Sequence, residues 1–557
     1  MEMLRGIAGA PGLAAESAFF YKKNIGKTAV VSIDKAVEIS LGRLEKLKEK
    51  AQNSLGDDEA KIFEAYKMLL EDEALISQIK SRIDNGEEPA AAAKAVTGRM
   101  SGILASKKNE YMRQRADDIR YVGKLLCDSL CGAGDGEDKP NKKVVLAAYE
   151  LTPVDTMLFD LKNLAAIVTE AGGATSHTVI LAKSLGIPAV TGIENIEKKI
   201  KTGDFVCVDG ERGRAVVNPD NERRAEFDMR LEEEKTLVEK INSLKKSKAY
   251  LKSGEVFSVC ANIGNPDDLV SLEDTVFNGV GLFRTEFLYS QTKKKPSFDN
   301  QAEAYKKVID FCAPEYVTIR TIDVGGDKII DYLNMKKEEN PFLGSRGIRL
   351  CMDNPEIFIE QLCAVLYAAR DEKVKILLPM ITSLKELEWA KSLIETAKKR
   401  LKEKEMPYCE NYLVGIMIET PACALCADIF AKRCDFFSVG TNDLVQYVTA
   451  ADRGNGNVAS VYNPYNLAVI RLINFAAKAA AENGIPISIC GDLAANLDFT
   501  EIFVGMGIKS LSVPSPMIGR LKKRLGEISN AEAEKTLQKV LSMENEDEIE
   551  DFLKGGI

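Results

Sequence analysis

Eight short apolar runs recur through the second half of the chain, each followed by a stretch of helical periodicity. No other feature limits the architecture as tightly. The runs are Val256–Ile263, Val280–Arg284, Tyr316–Asp323, Val374–Met380, Leu413–Ile418, Asp435–Val439, Pro486–Cys490 and Ile508–Val513. Eight strands alternating with helices over roughly 290 residues predict a (β/α)8 or TIM barrel, here spanning residues 251–557.

In such a barrel the chemistry gathers where the strands finish. The second run ends in Phe283-Arg284-Thr285-Glu286, and the third carries Arg320-Thr-Ile-Asp323 followed by Val-Gly-Gly-Asp327-Lys328. The fifth ends at Glu419, the sixth runs into Gly440-Thr-Asn442-Asp443, and the seventh ends in Cys490-Gly-Asp492. Arg346 and Arg349 lie between the third and fourth runs, and Arg453 follows Asp443. Guanidiniums bind phosphate and carboxylate in bidentate fashion. Mg²⁺ takes oxygen ligands, often one or two carboxylates plus substrate phosphate, and Glu419 with Asp443 is the candidate pair. The implied ligand is a small phosphorylated acid. Structural ion pairs around the rim are the bland alternative for any one of these residues. Cys490 is either a buried small residue or a proton donor beside the anion site.

The first half is organised differently. A short apolar strand and a Gly/Pro stretch, Gly9-Ala-Pro-Gly12, open the chain, and helical periodicity fills residues 33–131. A polar Gly/Pro linker covers 133–143. Strands at Val144–Ala148, Ala166–Val168 and Phe205–Asp209, with a helix from Thr178 to Leu185, form a compact α/β unit. Residues 221–249 are highly charged and helical in period, which predicts a connector between two bodies. The chain reads as an α/β multidomain protein.

Charge and cysteine usage exclude other classes. Lys and Arg number 75 against 84 Asp and Glu, a net charge of −9. An acidic chain suits neither a nucleic acid backbone nor its basic footprint, whereas it suits a basic protein partner. The N-terminus shows neither a signal peptide nor a membrane span, and the 12 scattered cysteines read as reduced cytoplasmic thiols. Cys423-Ala-Leu-Cys426 has no second pair at zinc spacing and reads as buried helix cysteines.

A single histidine is present, in Glu170-Ala-Gly-Gly-Ala-Thr-Ser-His177-Thr-Val-Ile-Leu-Ala-Lys183. Thr175 and Ser176 are good helix caps, which puts His177 at a helix start, where free N–H groups and the helix dipole favour an anion. A structural capping histidine is the alternative.

The segment resembles the phosphohistidine signature of the Enzyme I family of the bacterial phosphotransferase system and of its relatives, phosphoenolpyruvate synthase and pyruvate phosphate dikinase. Gly281-Leu-Phe-Arg-Thr-Glu-Phe-Leu288, Asp323-Val-Gly-Gly-Asp-Lys328, Glu339-Asn-Pro-Phe-Leu-Gly344, Gly440-Thr-Asn-Asp443 and Cys490-Gly491 are similar to that family's barrel. Met68-Leu-Leu-Glu-Asp-Glu73 resembles its helical docking subdomain, with Glu71, Asp72 and Glu73 as the acidic face.

The resemblance implies a swivelling phosphohistidine α/β domain (1–20 and 144–220) with an inserted helical carrier-binding subdomain (21–143). A helical linker (221–250) and a phosphoenolpyruvate-binding barrel would follow. It implies His177 as phospho-acceptor, Thr156 as a weaker candidate for orienting it, and Cys490 as the proton donor. Arg284, Arg320, Asn442 and Arg453 would bind phosphoenolpyruvate, and Glu419 and Asp443 would ligate Mg²⁺. The partners would be an HPr-like phosphocarrier protein and a second copy of the chain, dimerised through the barrel. Ala174, Lys183 and Asp492 depart from the family pattern, where Arg, Arg and Glu are usual. An ATP-using synthase or dikinase would need a nucleotide-binding domain. Gly26-Lys-Thr28 lacks the earlier glycine of a P-loop. The same residues would also serve a purely regulatory phosphorelay component. Loss of Glu419, Asp443 or His177 would have suggested a non-catalytic interaction protein, and all three are present.

Overall fold

The computed structural model describes residues 2–21, 31–54, 57–105, 110–131, 140–151, 155, 159–172, 177–184, 186–290, 295–325, 330–333, 335 and 338–555. The chain divides into two compact units, Met1–Thr236 and Leu237–Ile557.

The first unit contains strands β1 (Glu2–Arg5), β2 (Ile7–Ala10), β3 (Leu13–Tyr21), β4 (Val144–Ala148), β5 (Leu164–Thr169), β6 (Ala189–Thr191), β7 (Phe205–Asp209) and β8 (Arg214–Val217). They form one sheet in the order β1-β8-β7-β3-β4-β5-β6-β2. Strands β3 to β6 run parallel, with antiparallel strands on both flanks. β4 and β5 are buried at every position, as unbroken apolar runs are in a parallel sheet covered on both faces. Three strands open the chain where the sequence suggested one. Gly6 separates the first two, and a Cβ there would lie 2.4 Å from the Thr191 carbonyl oxygen.

Among the described residues, five helices stand between β3 and β4: Ile33–Ser54, Asp57–Leu70, Glu73–Asp84, Pro89–Ala105 and Glu110–Leu130. Their stripes of apolar residues close on a core of their own that includes Leu44, Phe63, Tyr66, Ile79, Val96, Val122 and Leu126. The last two helices touch closely, because a Cβ at Gly123 would lie 2.2 Å from Thr97 Oγ1.

A 25-residue helix, Asn221–Lys245, crosses the division between the units with only Phe227 buried. Within the first unit Arg230 donates to Asp209 at 2.7 Å, and the Arg224 guanidinium lies 4.2 Å from the Phe205 ring centroid. Within the second, buried Lys522 donates to the carbonyls of Lys245, Ser247 and Val276 at 3.1, 2.6 and 2.5 Å. No helix among the described residues is long and apolar enough to cross a membrane.

The second unit is a closed parallel barrel. After β9 (Ala249–Tyr250) come β10 (Val256–Ile263), β11 (Val280–Phe283), β12 (Val317–Arg320), β13 (Val374–Leu378), β14 (Tyr412–Ile418), β15 (Phe436–Gly440), β16 (Ile487–Cys490) and β17 (Ser510–Pro514). Each strand pairs with the next, and β17 closes on β10. Leu282, Leu377, Met417, Phe436 and Cys490 form a small cluster of buried side chains contributed by five of these strands. The larger core lies between strands and surrounding helices. The strands match the eight apolar runs to within a few residues, because most of the runs end where charged or glycine residues begin.

Candidate active site

The strand ends surround a cavity of about 270 Å³. Arg284 and Glu286 come from the end of β11, Arg320 and Asp323 from β12, and Met417 and Glu419 from β14. Asn442, Asp443 and Arg453 follow β15, and Cys490 closes β16. Arg346 and Phe342 enter from the β12–β13 connection. The eight charged residues of this lining are four arginines and four carboxylates.

Arg346 organises the group. Its Nε and Nη2 donate to the two oxygens of Asp323 at 2.9 Å each. Its Nη1 and Nη2 donate to the two oxygens of Asp443 at 2.9 and 2.8 Å. Nη1 also donates to the Tyr447 hydroxyl at 3.3 Å. Arg320 donates to Glu286 at 2.9 Å and lies 3.1 Å from Asp323. Burial pushes the Asp323 carboxyl up, but the Arg320 and Arg346 guanidiniums outweigh it and hold the group below the ordinary carboxylate range.

Glu419 is the opposite case. It is fully buried, and burial first, then the Asp443 and Asp323 charges, push its carboxyl well above the usual range. Its Oε1 accepts the Met380 N–H at 2.6 Å, from a backbone held at φ +59°. Its Oε2 is buried and has no partner among the described residues. A Cβ at Gly440 would stand 2.9 Å from that oxygen, so glycine keeps it clear. An orphaned buried carboxylate oxygen beside a second carboxylate fits a divalent cation. Asp443 retains lone pairs beyond those that Arg346 uses. No group of three or more candidate metal-ligating side chains occurs among the described residues, so substrate and water oxygens would have to complete the shell.

Asn442 Oδ1 accepts the Asp492 N–H at 2.8 Å, which leaves its NH₂ group for a ligand. Arg284 is exposed at the cavity, and Arg453 Nη1 lies 3.7 Å from Asp443. The Cys490 thiol is buried, accepts from the Ser438 hydroxyl at 3.3 Å and lies 3.2 Å from the Val439 carbonyl oxygen. Burial raises its pKa, so it stays protonated at neutral pH.

Arg284, Arg320, Glu419, Asn442, Asp443, Arg453 and Cys490 thus line one cavity, as the sequence implied. His177 belongs to the other unit, where it begins the helix His177–Ser184. That helix is fixed by the buried Thr178, whose hydroxyl donates to the Leu151 carbonyl at 2.7 Å. The caps Thr175 and Ser176, Ala174, Thr156, Asp327-Lys328 and Gly26-Lys-Thr28 lie outside the described residues. Glu71, Asp72 and Glu73 are exposed, and Asp72 caps the next helix by accepting from Ala74 N–H at 2.8 Å.

Two expectations are corrected. Arg349 does not line the cavity and instead donates to the Leu343 and Gly344 carbonyls. Of the cysteine pair only Cys423 is buried, while Cys426 at the helix junction is exposed. Glu286 and Asp323 stand in the strand-end motifs without an assigned role, and Arg346, grouped there with the anion-binding arginines, is instead taken up by Asp323 and Asp443; Met380 and Tyr447 carry no sequence signal. For Arg346 the available signal was an arginine in a Gly-rich loop beyond a strand end.

Three family matches cover this framework. Residues 5–115, 140–213 and 238–530 match the PEP-utilising enzyme N-terminal, mobile and PEP-binding domains. A phosphoenolpyruvate-protein phosphotransferase of Priestia megaterium is 37% identical, the match covering 99% of this chain and 98% of the relative. The chain belongs to this phosphotransferase family. The phosphotransferase of Bacillus subtilis (strain 168) is 36% identical over 100% of this chain and 99% of the relative. A solved Enzyme I structure determined by NMR is 33% identical, covering 42% of this chain and 99% of that one with a TM-score of 0.35. The phosphotransferase family works with phosphoenolpyruvate and a divalent metal.

Proposed function

We propose that this chain takes the phosphoryl group of phosphoenolpyruvate onto His177 and passes it to a small HPr-like phosphocarrier protein, releasing pyruvate. The observation that carries the reading is the barrel cavity: guanidiniums, carboxylates and a protonated thiol at the strand ends of a family member. Arg284, Arg320 and Arg453 hold the phosphate and carboxylate of the substrate, and the Asn442 NH₂ group adds a donor. With Glu419 ionised as a metal ligand, four guanidiniums facing four carboxylates leave no formal surplus of positive charge for a multiply charged anion. Mg²⁺, held by Glu419 and Asp443, supplies that surplus when bound.

The His177 imidazole attacks phosphorus in line. A P–N bond forms as the P–O bond to the enolate breaks. The Cys490 thiol gives its proton to the methylene carbon of the enolate, which becomes pyruvate, and the thiolate regains a proton from water. The helix start at His177 favours the charge of the phosphorylated ring.

One imidazole serving both a barrel mouth and a docked carrier must travel between them. We assign 1–20 and 144–220 to the travelling domain, 21–143 to carrier docking through Glu71, Asp72 and Glu73, 221–250 to the linker and 251–557 to the substrate-binding barrel. The acidic docking face suits a basic carrier. A cytoplasmic homodimer joined through the barrel completes the reading.

The test is incubation of the purified chain with ³²P-phosphoenolpyruvate, with and without Mg²⁺, ATP and a candidate carrier. Label appears on the protein with Mg²⁺ and without ATP, and moves to the carrier. His177→Ala takes up none, and persistent labelling of that variant overturns the assignment.

A further inference from the structure

The helix Pro355–Ala368 packs on the outside of the barrel, and its buried face is apolar except for Gln361. This side chain is wholly buried. A carboxamide between helix and strands is costly unless its hydrogen bonds are made. Here they are. Gln361 Oε1 accepts the Ile322 N–H at 2.9 Å, and Nε2 donates to Thr285 Oγ1 at 3.1 Å and to the Tyr305 hydroxyl at 3.2 Å. Thr285 Oγ1 in turn donates to the Arg320 carbonyl at 2.9 Å.

The groups that Gln361 ties together are informative. Thr285 stands between Arg284 and Glu286, and Ile322 stands between Arg320 and Asp323. Both segments lie at or just past the ends of their strands, where the backbone passes between the cavity and the helix. Those four charged side chains line the cavity, while Thr285 and the backbone of Ile322 meet the amide from the helix. On the cavity side the same two segments meet again, because Glu286 Oε1 accepts both Arg320 Nη2 and Asp323 N–H.

We infer that Gln361 is a positioning residue for phosphoenolpyruvate binding: its amide locks the ends of β11 and β12 in register, so that Arg284 and Arg320 stand at a fixed separation. A displacement of about 1 Å in such a site lowers activity by as much as 100-fold. The inference rests on the proposed roles of Arg284 and Arg320 in holding the substrate.

Steady-state kinetics on the full-length protein separates positioning from simple stabilisation. Gln361→Met keeps the reach and removes every polar atom. Thr285→Val removes only the shared hydroxyl. Leu362→Ala, at a fully buried apolar position of the same helix, is the control for lost stability. The expected result is a KM for phosphoenolpyruvate raised roughly 10- to 100-fold in Gln361→Met and Thr285→Val. Thr285→Ser restores it, and Leu362→Ala keeps the parent KM although its melting temperature falls. The double variant is no worse than the single ones, since the two groups act as one unit. Phosphoryl transfer from already phosphorylated protein to the carrier is unchanged throughout.

A parent-like KM in Gln361→Met overturns the inference; should that variant not fold, Thr285→Val decides alone. Arg320→Met tells the two readings apart. If it loses phosphoenolpyruvate binding while Thr285→Val and Gln361→Met keep the parent KM, only the positioning role falls. If Arg320→Met itself binds normally, the substrate-binding assignment falls and this inference with it.

Discussion

Replacing Arg346 by methionine tests the arrangement of the cavity most directly. The side chain is buried and makes four charged hydrogen bonds of 2.8–2.9 Å to two carboxylates. Methionine fills much of the space and supplies none of them. Removing one partner of a buried ion pair costs about 3–5 kcal/mol. Asp323 keeps Arg320 at 3.1 Å, but Asp443 keeps only the more exposed Arg453 at 3.7 Å, so Asp443 bears most of the loss. At about 2 °C per kcal/mol for a domain of this size, the barrel transition in calorimetry falls by roughly 6–10 °C. The cost also depends on pH. Asp323 has a folded-state pKa below its unfolded value, so its contribution is present above the unfolded value and lost as pH falls through the folded one. The penalty in Arg346→Met is therefore full at neutral pH and shrinks as pH falls below about 4. A loss under about 1 kcal/mol at neutral pH, or one that persists unchanged in acid, refutes the reasoning.

Three further outcomes are expected from the same geometry. Cys490→Ser keeps the fold but slows pyruvate formation on the order of 100-fold, the usual scale for a lost general acid, as read by single-turnover assay; unchanged turnover removes the thiol from the mechanism. Glu419→Gln keeps the acceptor for Met380 N–H and deletes a charge that folding disfavours. Because the folded pKa is raised, the metal-free parent loses stability as pH rises above about 4.3, so the variant melts higher at neutral pH while losing Mn²⁺ binding in calorimetric titration. Lys522→Met strands three carbonyls and lowers the barrel transition, whereas the ³²P label on His177 at low temperature persists.

The barrel was legible because its strands are short apolar runs, most of which stop at charged or glycine residues, and several of those residues are the ones around the cavity. Arg284, Glu419, Asn442, Asp443 and Cys490 stand at or just beyond the end of a run and Arg320 lies within the third, where the strand itself stops, so the strand pattern leads to them. Arg346 was visible only as an arginine in a Gly-rich loop; that it folds back between Asp323 and Asp443 depends on partners 23 and 97 residues away along the chain. Gln361 was hidden for a related reason: it occupies a core position on the otherwise apolar face of its helix, and its partners are 39, 56 and 76 residues away along the chain. Met380 is recognisable only from its backbone angle. In the first unit β6 and β8 hold three and four residues, too few to stand out against flanking glycines.

The contacts of Lys522 have a consequence for which residues that position can accept. An ammonium carries three N–H bonds splayed like the legs of a tripod, and here each leg lands on a different peptide oxygen. A guanidinium is flat and directs its donors within one plane, so arginine, the usual exchange for lysine, cannot reach all three landing points. Acetylation of the amine would leave one N–H where three are needed. A site that looks like an ordinary basic helix position is thus closed to its nearest chemical relative.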